Sequence, residues 1–575
     1  MSPAVSIVMP VYNVAPWLHE CLSSILDDQD VDLELIAVDD GSTDGGWEIL
    51  TERAATDPRL RVVRNQGKGG AQARNHGVTL ATGEYLAFVD ADDIVPRGAY
   101  RAMLDSARAN GADHVIGSFL KFFPTRTWRP TRTWPAWEQE RVGVTLAEQP
   151  SLIRNRACWN RLFNRAWWVS TGIEFPTVPR SNDVVPMTRA LVEARSINVV
   201  RDTVYLYRFR PGASSMSARA GGAASFISYL TQEAESLRLT RAVGDAGLSE
   251  LHGSLFLAND GWVHLRQFLV GPGPDTCTAD ELGQIQQAIA SLSDVAGLDT
   301  AEELSWVTSR AMAYAAAGRW PLARQLALAA DDAVDVPTAV EALAAARAEG
   351  VLDDDEARHY FQSVVLIPLT RRTAPAPEVA GALRAHRPLV ASLYGGRDLT
   401  HLPLALQQLL RFTLEDDADR LVRVLSEDPL RFVLRRLVEK GDGVVARVVH
   451  RGPAVQQLAF HVRRGVTRRG LGQVVERGEE PLEVGVPLRR LTAGRWDLVV
   501  EATVDGVRFT APVALSPLSP GESVVLGRRA EYVRPGSGID AAVIVLGSGR
   551  VRRALGRVRR GVRRRLGAAR GVTAA

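Results

Sequence analysis

The sequence predicts an α/β domain followed by a helical region and a small all-β region, and three observations carry that prediction. Apolar runs suited to buried strands alternate with stretches of helical spacing over the amino-terminal part. Ala/Leu-rich segments with no strand pattern fill about residues 223–415. Short apolar runs separated by Gly turns then fill about residues 431–547. The chain has 575 residues, enough for roughly two to four domains. The predicted segments are 1–220 (α/β), 221–425 (helical), 426–547 (a β-sandwich, immunoglobulin-like or carbohydrate-binding) and 548–575 (a basic amphipathic tail).

The α/β elements follow in order. "AVSIVMPV" is an apolar run ended by Asn13 and Pro16. Pro16 suits a first helical turn, and Leu18, Leu22 and Ile25 recur at helical spacing. "LELIAV" is the second strand, with a helix from Asp44 to about Ala55. "RLRVV" is the third strand, "GGAQARNHGVTLA" the next helix and "EYLAFV" the fourth strand. This alternation implies a mostly parallel sheet covered on both faces. Ligands of such sheets bind beyond the carboxyl ends of the strands. Pro10–Asn13, Asp39–Ser42, Asn65–Gly67 and Asp90–Asp93 each follow a strand and are expected on one edge.

Composition sets limits. The hydrophobic fraction of 46% and charged fraction of 23% are those of a soluble globular chain. A net charge of +3 gives no general field for a polyanion, and no nucleic-acid partner is expected. The three cysteines, Cys21, Cys158 and Cys277, are far apart and lack metal spacing. That favours a reducing cytoplasm over a disulfide framework. "MSPAVSIVMPVYN" has no basic leader and is not read as a signal peptide. No apolar run reaches the length of about eighteen residues that a membrane span needs.

Two acidic clusters end strands. In "VDDGSTD" Gly41 permits a turn, and Ser42, Thr43 or Asp44 can cap the helix that follows, so a ligand role competes with a capping role. In "FVDADD" two carboxylates one residue apart can hold a hard divalent cation that keeps its waters and meets substrate phosphates.

"VSIVMPVYN", "VDDGSTD", "NQGKGGAQARNHG" and "YLAFVDADD", in this order between Val5 and Asp93, resemble the nucleotide-binding half of the family 2 glycosyltransferases, whose fold is called GT-A. The resemblance covers about residues 1–215 and is strongest over 1–95. It implies a nucleotide-diphosphate sugar donor, a divalent metal (Mn2+ or Mg2+) and inversion at the anomeric carbon. It implies that Asp40, with Asp39 beside it, accepts the N3–H of a uracil ring, as an acceptor-only carboxylate can. Pro10, Val11 and Tyr12 would then wall the base, and Asn65 and Arg74 fill the next loop's positions, Arg74 toward the diphosphate. The glycines of "GKGG" suit close backbone approach, or a plain loop-to-helix turn. Asp92 falls at the metal position, Asp90 at a ribose or metal-support position, and Asp93 behind them.

The family's general base is the Asp of a Glu-Asp pair. In "FPTVPRSNDVVPMTRALVEA" the matching residue is Asp183, ahead of a helix Val184–Ala194, and Asn182 stands where Glu is usual. Without that Glu, a neighbouring charge that could raise the base's pKa is missing. A helix N-cap is the competing reading of Asp183. "ACWNRLFNRAWW" resembles the family's KLF segment, with Arg161 in place of Lys, and "VYLYRFRPGASSM" resembles its later Arg-rich segment. There Arg208 and Arg210 either close over the diphosphate or are surface charges.

"KFFPTRTWRPTRTWPAWEQE" places Trp128, Trp134 and Trp137 among Arg126, Arg129 and Arg132. The indoles either stack on acceptor sugars or anchor the loop. In the tail Val551, Leu555, Val558, Val562 and Leu566 form an apolar line among arginines, as in membrane-surface helices, although Gly556, Gly561 and Gly567 weaken a helix there. The domain order is similar to bacterial glycosyltransferases of wall teichoic acids or surface polysaccharides, whose appended modules bind polymer or form homo-oligomers. The reading is an inverting hexosyltransferase that uses a UDP-sugar on a polymer or lipid-linked cell-envelope glycan. It would be cytoplasmic and held by its tail at the anionic inner face of the plasma membrane. Two alternatives stand beside it. A nucleotidyltransferase would need a Gly-rich activating loop where "PVYNVAP" stands. A non-catalytic carbohydrate-binding scaffold would lack the carboxylates that Asp90, Asp92 and Asp183 supply.

Overall fold

The computed structural model describes residues 2–123, 126–210, 222–297, 305–331, 333–369, 376–399, 402 and 404–426, and beyond them the strands between 431 and 546. The chain forms two compact units, Met1–Ala327 and Leu328–Ala575. The division falls inside the helical region, so the residue bounds of the four sequence segments stay a proposal.

In the first unit, strands β1 (Val5–Val11), β2 (Leu33–Asp39), β3 (Leu60–Arg64) and β4 (Tyr85–Phe88) are separated by helices α1 (Ala15–Leu26), α2 (Gly46–Thr56) and α3 (Gly70–Leu80). After α4 (Ala99–Asn110) come β5 (His114–Phe123), β6 (Arg126–Trp128), β7 (Arg141–Val144) and β8 (Arg161–Asn164). Helices α5 (Arg165–Thr171) and α6 (Val184–Glu193) follow, then β9 (Ile197–Arg208). The nine strands form one sheet in the order β3-β2-β1-β4-β8-β5-β9-β7, with β6 beside β5.

The sheet is mixed where the sequence suggested a mostly parallel one. β3, β2, β1 and β4 run parallel, but β8 is antiparallel to both β4 and β5. The four-residue strand β8 is too short to show a period of its own. Alternation along β1 divides the core. Val5, Ile7 and Met9 pack with Leu18, Leu22 and Leu104, while Val8 packs with Ile36, Phe88, Ala73 and Met187. Helix α3 lies so close to β1 that a Cβ at Gly77 would fall 2.3 Å from Val8 Cγ1. Because β1–β4 are parallel, the loops after them gather on one edge.

Helices α7 (Ala223–Ala242) and α8 (Ala246–Leu255) open the helical region within this same unit. Helix α7 packs on α6, with the Thr188 and Ser236 hydroxyls 2.6 Å apart. Beneath them Arg156 Nη1 donates to both Glu233 oxygens at 2.8 Å, and its Nη2 donates to Asp260 at 2.5 Å. Helices continue to Ser426. In the second unit the described strands form a four-stranded and a seven-stranded sheet. Their assembly into a sandwich, like the region's binding role, stays a proposal. The Asp505-Gly506 hairpin turn and the tail residues Val551 to Leu566 lie outside the described residues. Among the described residues no helix is long and apolar enough to cross a membrane, and Cys21, Cys158 and Cys277 are free thiols.

Candidate active site

The first two loops are stitched to each other. Asn13, at φ 50°, accepts from Thr43 N at 2.8 Å, and its own N–H donates to Ser42 Oγ at 3.2 Å. Asp44 Oδ1 accepts from Gly46 N at 3.1 Å near the start of α2, and Oδ2 accepts from Ala15 N at 2.8 Å at the start of α1. The N-cap residues of the two helices are Val14 and Gly45, neither with a side-chain cap bond, so Asp44 serves the first N–H of each helix without being the N-cap the sequence suggested.

Asp39 is fully buried. It accepts from Gly41 N at 3.0 Å and Ser42 N at 3.2 Å and pairs with Arg64, which lies over the Trp47 ring. Its carboxylate holds the turn that presents Asp40. Asp40 accepts from Asn65 Nδ2 at 2.6 Å and Gly69 N at 2.7 Å, one donor on each oxygen. Each oxygen keeps a lone pair for a further donor. Tyr12 is 57% exposed, Pro10 is half-buried, and Val11 is fully buried with its carbonyl accepting Asp40 N at 2.8 Å. Val11 therefore offers no side-chain surface to a base, and a wall on this loop falls to Pro10 and Tyr12.

Arg74, on α3, is buried and ties the third loop to two others. Its Nη2 donates to Asp90 Oδ1 at 2.6 Å, and Nη1 reaches Asn182 Oδ1 at 3.4 Å. The Asp90 N–H donates to Tyr205 Oη at 3.0 Å. Asp92 pairs with Arg210 Nε at 2.8 Å, and Arg210 also lies over the Trp17 ring. Arg208 donates to the Asp92 carbonyl at 2.7 Å and to Glu20 at 2.6 Å, and its N–H donates to Asp93 Oδ1 at 2.6 Å. The end of β9 thus fastens the acidic loop, a role the sequence left undecided between diphosphate contact and surface charge. Tyr205 was missed; only the aromatic alternation of "VYLYRF" hinted that this strand lines anything.

Among the described residues no three His, Cys, Asp or Glu side chains are grouped to hold a metal. The acidic loop still fits a cation that takes few protein ligands. Burial, with Asp90 nearby, pushes the Asp92 carboxyl up. Burial and then Asp92 and Asp90 push Asp93 well up, and Asp93 Oδ2 is buried with no hydrogen-bond partner among the described residues. The loop is short of positive charge, which Arg210 partly supplies.

Asp183 precedes α6 without making a side-chain cap bond, so its carboxylate is not spent as a helix cap. Burial pushes its carboxyl up, against the pull of Arg74. The same field reaches Cys158, whose buried thiol is pushed up to about 12 by burial, and Asp90. Arg74, Asp90, Cys158 and Asp183 thus share one neighbourhood. The residue before the Asn182-Asp183 pair, Ser181, has φ 59°. Arg180 is held at its backbone by Ser228 of α7, which accepts from its N–H at 3.2 Å and donates to its carbonyl at 2.7 Å. Arg161, where the family has Lys, is fully buried and donates to the Ala157 carbonyl at 2.9 Å. Trp134 packs edge-on with Trp137 and with Phe119 as a loop anchor, while Trp128 is 56% exposed. A separate cleft of about 620 Å³ lies at the amino ends of β1 and β4, by Pro3, Ala4 and Glu84, on the edge opposite these loops.

Residues 6–168 match the model of the glycosyl transferase family 2. Glycosyltransferase GlyG of Streptococcus pneumoniae serotype 4 is 32% identical over 225 residues, covering 37% of this chain and 73% of that protein. The chain is a family 2 glycosyltransferase. A poly(ribitol-phosphate) beta-glucosyltransferase of Bacillus spizizenii is 29% identical to this glycosyltransferase over 222 residues, 37% of the chain and 33% of that protein. Among solved structures, a fragment of S. aureus TarS in complex with UDP-GlcNAc aligns with a TM-score of 0.44 at 19% identity, over 58% of this chain and 92% of that one.

Proposed function

We propose that this glycosyltransferase transfers a hexosyl group, with inversion, from a UDP-sugar to a hydroxyl of a cell-envelope glycan or teichoic-type polymer. The observation that carries the reading is the Arg74 guanidinium, which bonds Asp90 of the acidic loop and Asn182 beside the candidate base Asp183. The acidic loop and the residue before Asp183 therefore meet at one cation. The B. spizizenii relative, whose name gives poly(ribitol phosphate), supports the acceptor class.

In this reading Asp40 accepts the base N3–H, Pro10 and Tyr12 flank the ring, and Asp39 and Asn65 fix Asp40. Arg74 and Asp90 lie by the diphosphate and ribose. Asp92, with support from Asp90, holds a Mn2+ or Mg2+ ion, which when bound offsets charge on the departing diphosphate. Asp183 takes the acceptor O–H proton. The freed oxygen pair attacks the anomeric carbon from the face opposite the leaving group, and the bond to the UDP oxygen breaks with its electrons leaving on UDP. A carboxyl raised by burial suits that role, because a base works best with a pKa near the working pH.

Asp183→Asn tests the reading. UDP affinity should be unchanged while transfer falls ~10²–10⁴-fold; transfer near the wild-type rate would send the base elsewhere. The basic tail would hold the chain at an anionic membrane surface, each arginine contributing on the order of 1 kcal/mol. Vesicle co-sedimentation of the full chain against one ending at Gly549 tests that, and equal sedimentation would refute it.

A further inference from the structure

Beside the candidate base, one face of the sheet carries cations set among aromatic rings. Lys121 on β5 is in register with Trp128 on β6 and with Tyr207 on β9, so the three side chains form a row across three strands. The ammonium lies 5.7 Å from the Trp128 ring centre and 5.5 Å from that of Tyr207. Two residues along, Arg126 lies over Phe123 at 4.5 Å, and Phe123 packs on Phe209. Trp128 is 56% and Phe209 49% exposed.

Among the described residues, Lys121, Arg126 and Arg180 have no ion-pair partner. The field that Lys121 feels comes from Asp260, whose carboxylate is already paired with Arg156. Arg180 Nη1 is buried with no hydrogen-bond partner among the described residues. Its guanidinium feels both Tyr207 of the row and the Asp183 carboxylate, which connects the row to the base. Burial lowers the pKa of both Lys121 and Arg180, the signature of cations kept from water without a partner.

We propose that Lys121, Arg126 and Arg180, with the exposed rings of Trp128 and Phe209, form an acceptor subsite for a phosphodiester-linked polyol or glycan chain. This rests on the reading of Asp183 as the base. Guanidinium and ammonium groups answer phosphates. The exposed rings cover the apolar edges of the units between them, and the half-buried settings of Lys121 and Arg180 make their charge pairs stronger than they would be in open water. Neutral glycans would leave the three cations unanswered, so the surface selects an anionic chain.

The test uses the full chain and a fluorescein-labelled glycerol phosphate oligomer, with neutral maltohexaose, phosphatidylglycerol vesicles and UDP titrated in parallel. The oligomer should bind with salt-sensitive affinity and maltohexaose should not. In the triple variant Lys121→Gln, Arg126→Gln, Arg180→Gln, oligomer affinity should fall at least about tenfold with UDP affinity unchanged. Lys121→Arg, which keeps the charge, should retain binding. Equal oligomer affinity in the triple variant would overturn the subsite. So would a matching loss of UDP affinity, which would assign the cations to the donor diphosphate, or binding to vesicles in place of the oligomer, which would assign them to a lipid surface. A wild type that binds the oligomer and not UDP would overturn the donor reading above and still support the subsite.

Discussion

Arg74 Nη2 donates to Asp90 Oδ1 at 2.6 Å, the guanidinium buried and the carboxylate half-buried. The guanidinium is also the strongest influence holding the Asp183 carboxyl down against burial. Replacing it with a neutral group should therefore raise the Asp183 pKa further. A base must be ionised to act, so activity is lost as pH falls through that pKa. Arg74→Gln is expected to move the acid limb of the kcat/KM profile to higher pH, besides lowering the plateau. A pH–rate series on both proteins checks this, and an unmoved acid limb would separate Arg74 from the base.

Asp92 meets a cation in the structure, Arg210 Nε at 2.8 Å, and burial keeps its carboxyl raised. Asp92→Asn keeps the shape and removes the charge. Turnover should be abolished and the gain in UDP affinity on adding manganese should vanish, while metal-free UDP binding should change little. Calorimetric titration with and without manganese reads both. An unchanged manganese effect would move the metal site off Asp92.

The strands β1, β2 and β4 were legible because each is an apolar run with both faces covered, ended by Asn or Asp at a turn, and β3, with Arg61 and Arg64 exposed, was legible from its short Leu-Val run before Asn65. Asp40, Asp90, Asp92 and Asp183 were singled out as candidates by motif order, and the sequence could not say which carboxylates are already spent. Asp39 is spent on the turn that follows it, and Asp44 on Gly46 N and Ala15 N, the last a bond that depends on where loops 29 residues apart meet. The roles of Arg208 and Arg210 depended on the pairing of Leu206 with Ile94, a long-range contact with no local signal. The same holds for Ser228, a small polar residue on a helix whose partner lies 48 positions away.

Glu233 is fully buried between Arg156 and His252. Burial alone would raise its carboxyl, but Arg156 and the His252 hydrogen bond bring it down from 4.5 to about 2. A carboxylate depressed on folding stabilises the native state in full above the unfolded pKa and loses that contribution as pH falls through the folded one. Glu233→Gln should cost about 3–5 kcal/mol at pH 7, toward the low end because Arg156 keeps Asp260. The gap between the two proteins should shrink as pH drops from about 4.5 to about 2. Urea unfolding at a series of pH values measures it, and a gap independent of pH would show that the ion pair is not what Glu233 contributes.

Ser228 links the helical region to the loop of the candidate base. Its hydroxyl donates to the Arg180 carbonyl and accepts from the Arg180 N–H, gripping both polar groups of one peptide residue. Ser181 follows with φ 59°, a strained value for a residue with a side chain, and then come Asn182 and Asp183. A loop held in such a backbone conformation relaxes when its clamp is removed. Losing hydrogen bonds of this kind costs on the order of 1 kcal/mol each, so Ser228→Ala should lower kcat roughly three- to tenfold. The donor KM should hold, because the donor loops are fastened independently by Asp39, Asp44 and β9. Ser228→Thr keeps the hydroxyl and should restore most of kcat. Steady-state kinetics on the two variants decides the matter: a fall in kcat that Thr does not rescue, or an equal change in donor KM, would reduce Ser228 to a general packing residue and detach the helical region from the chemistry.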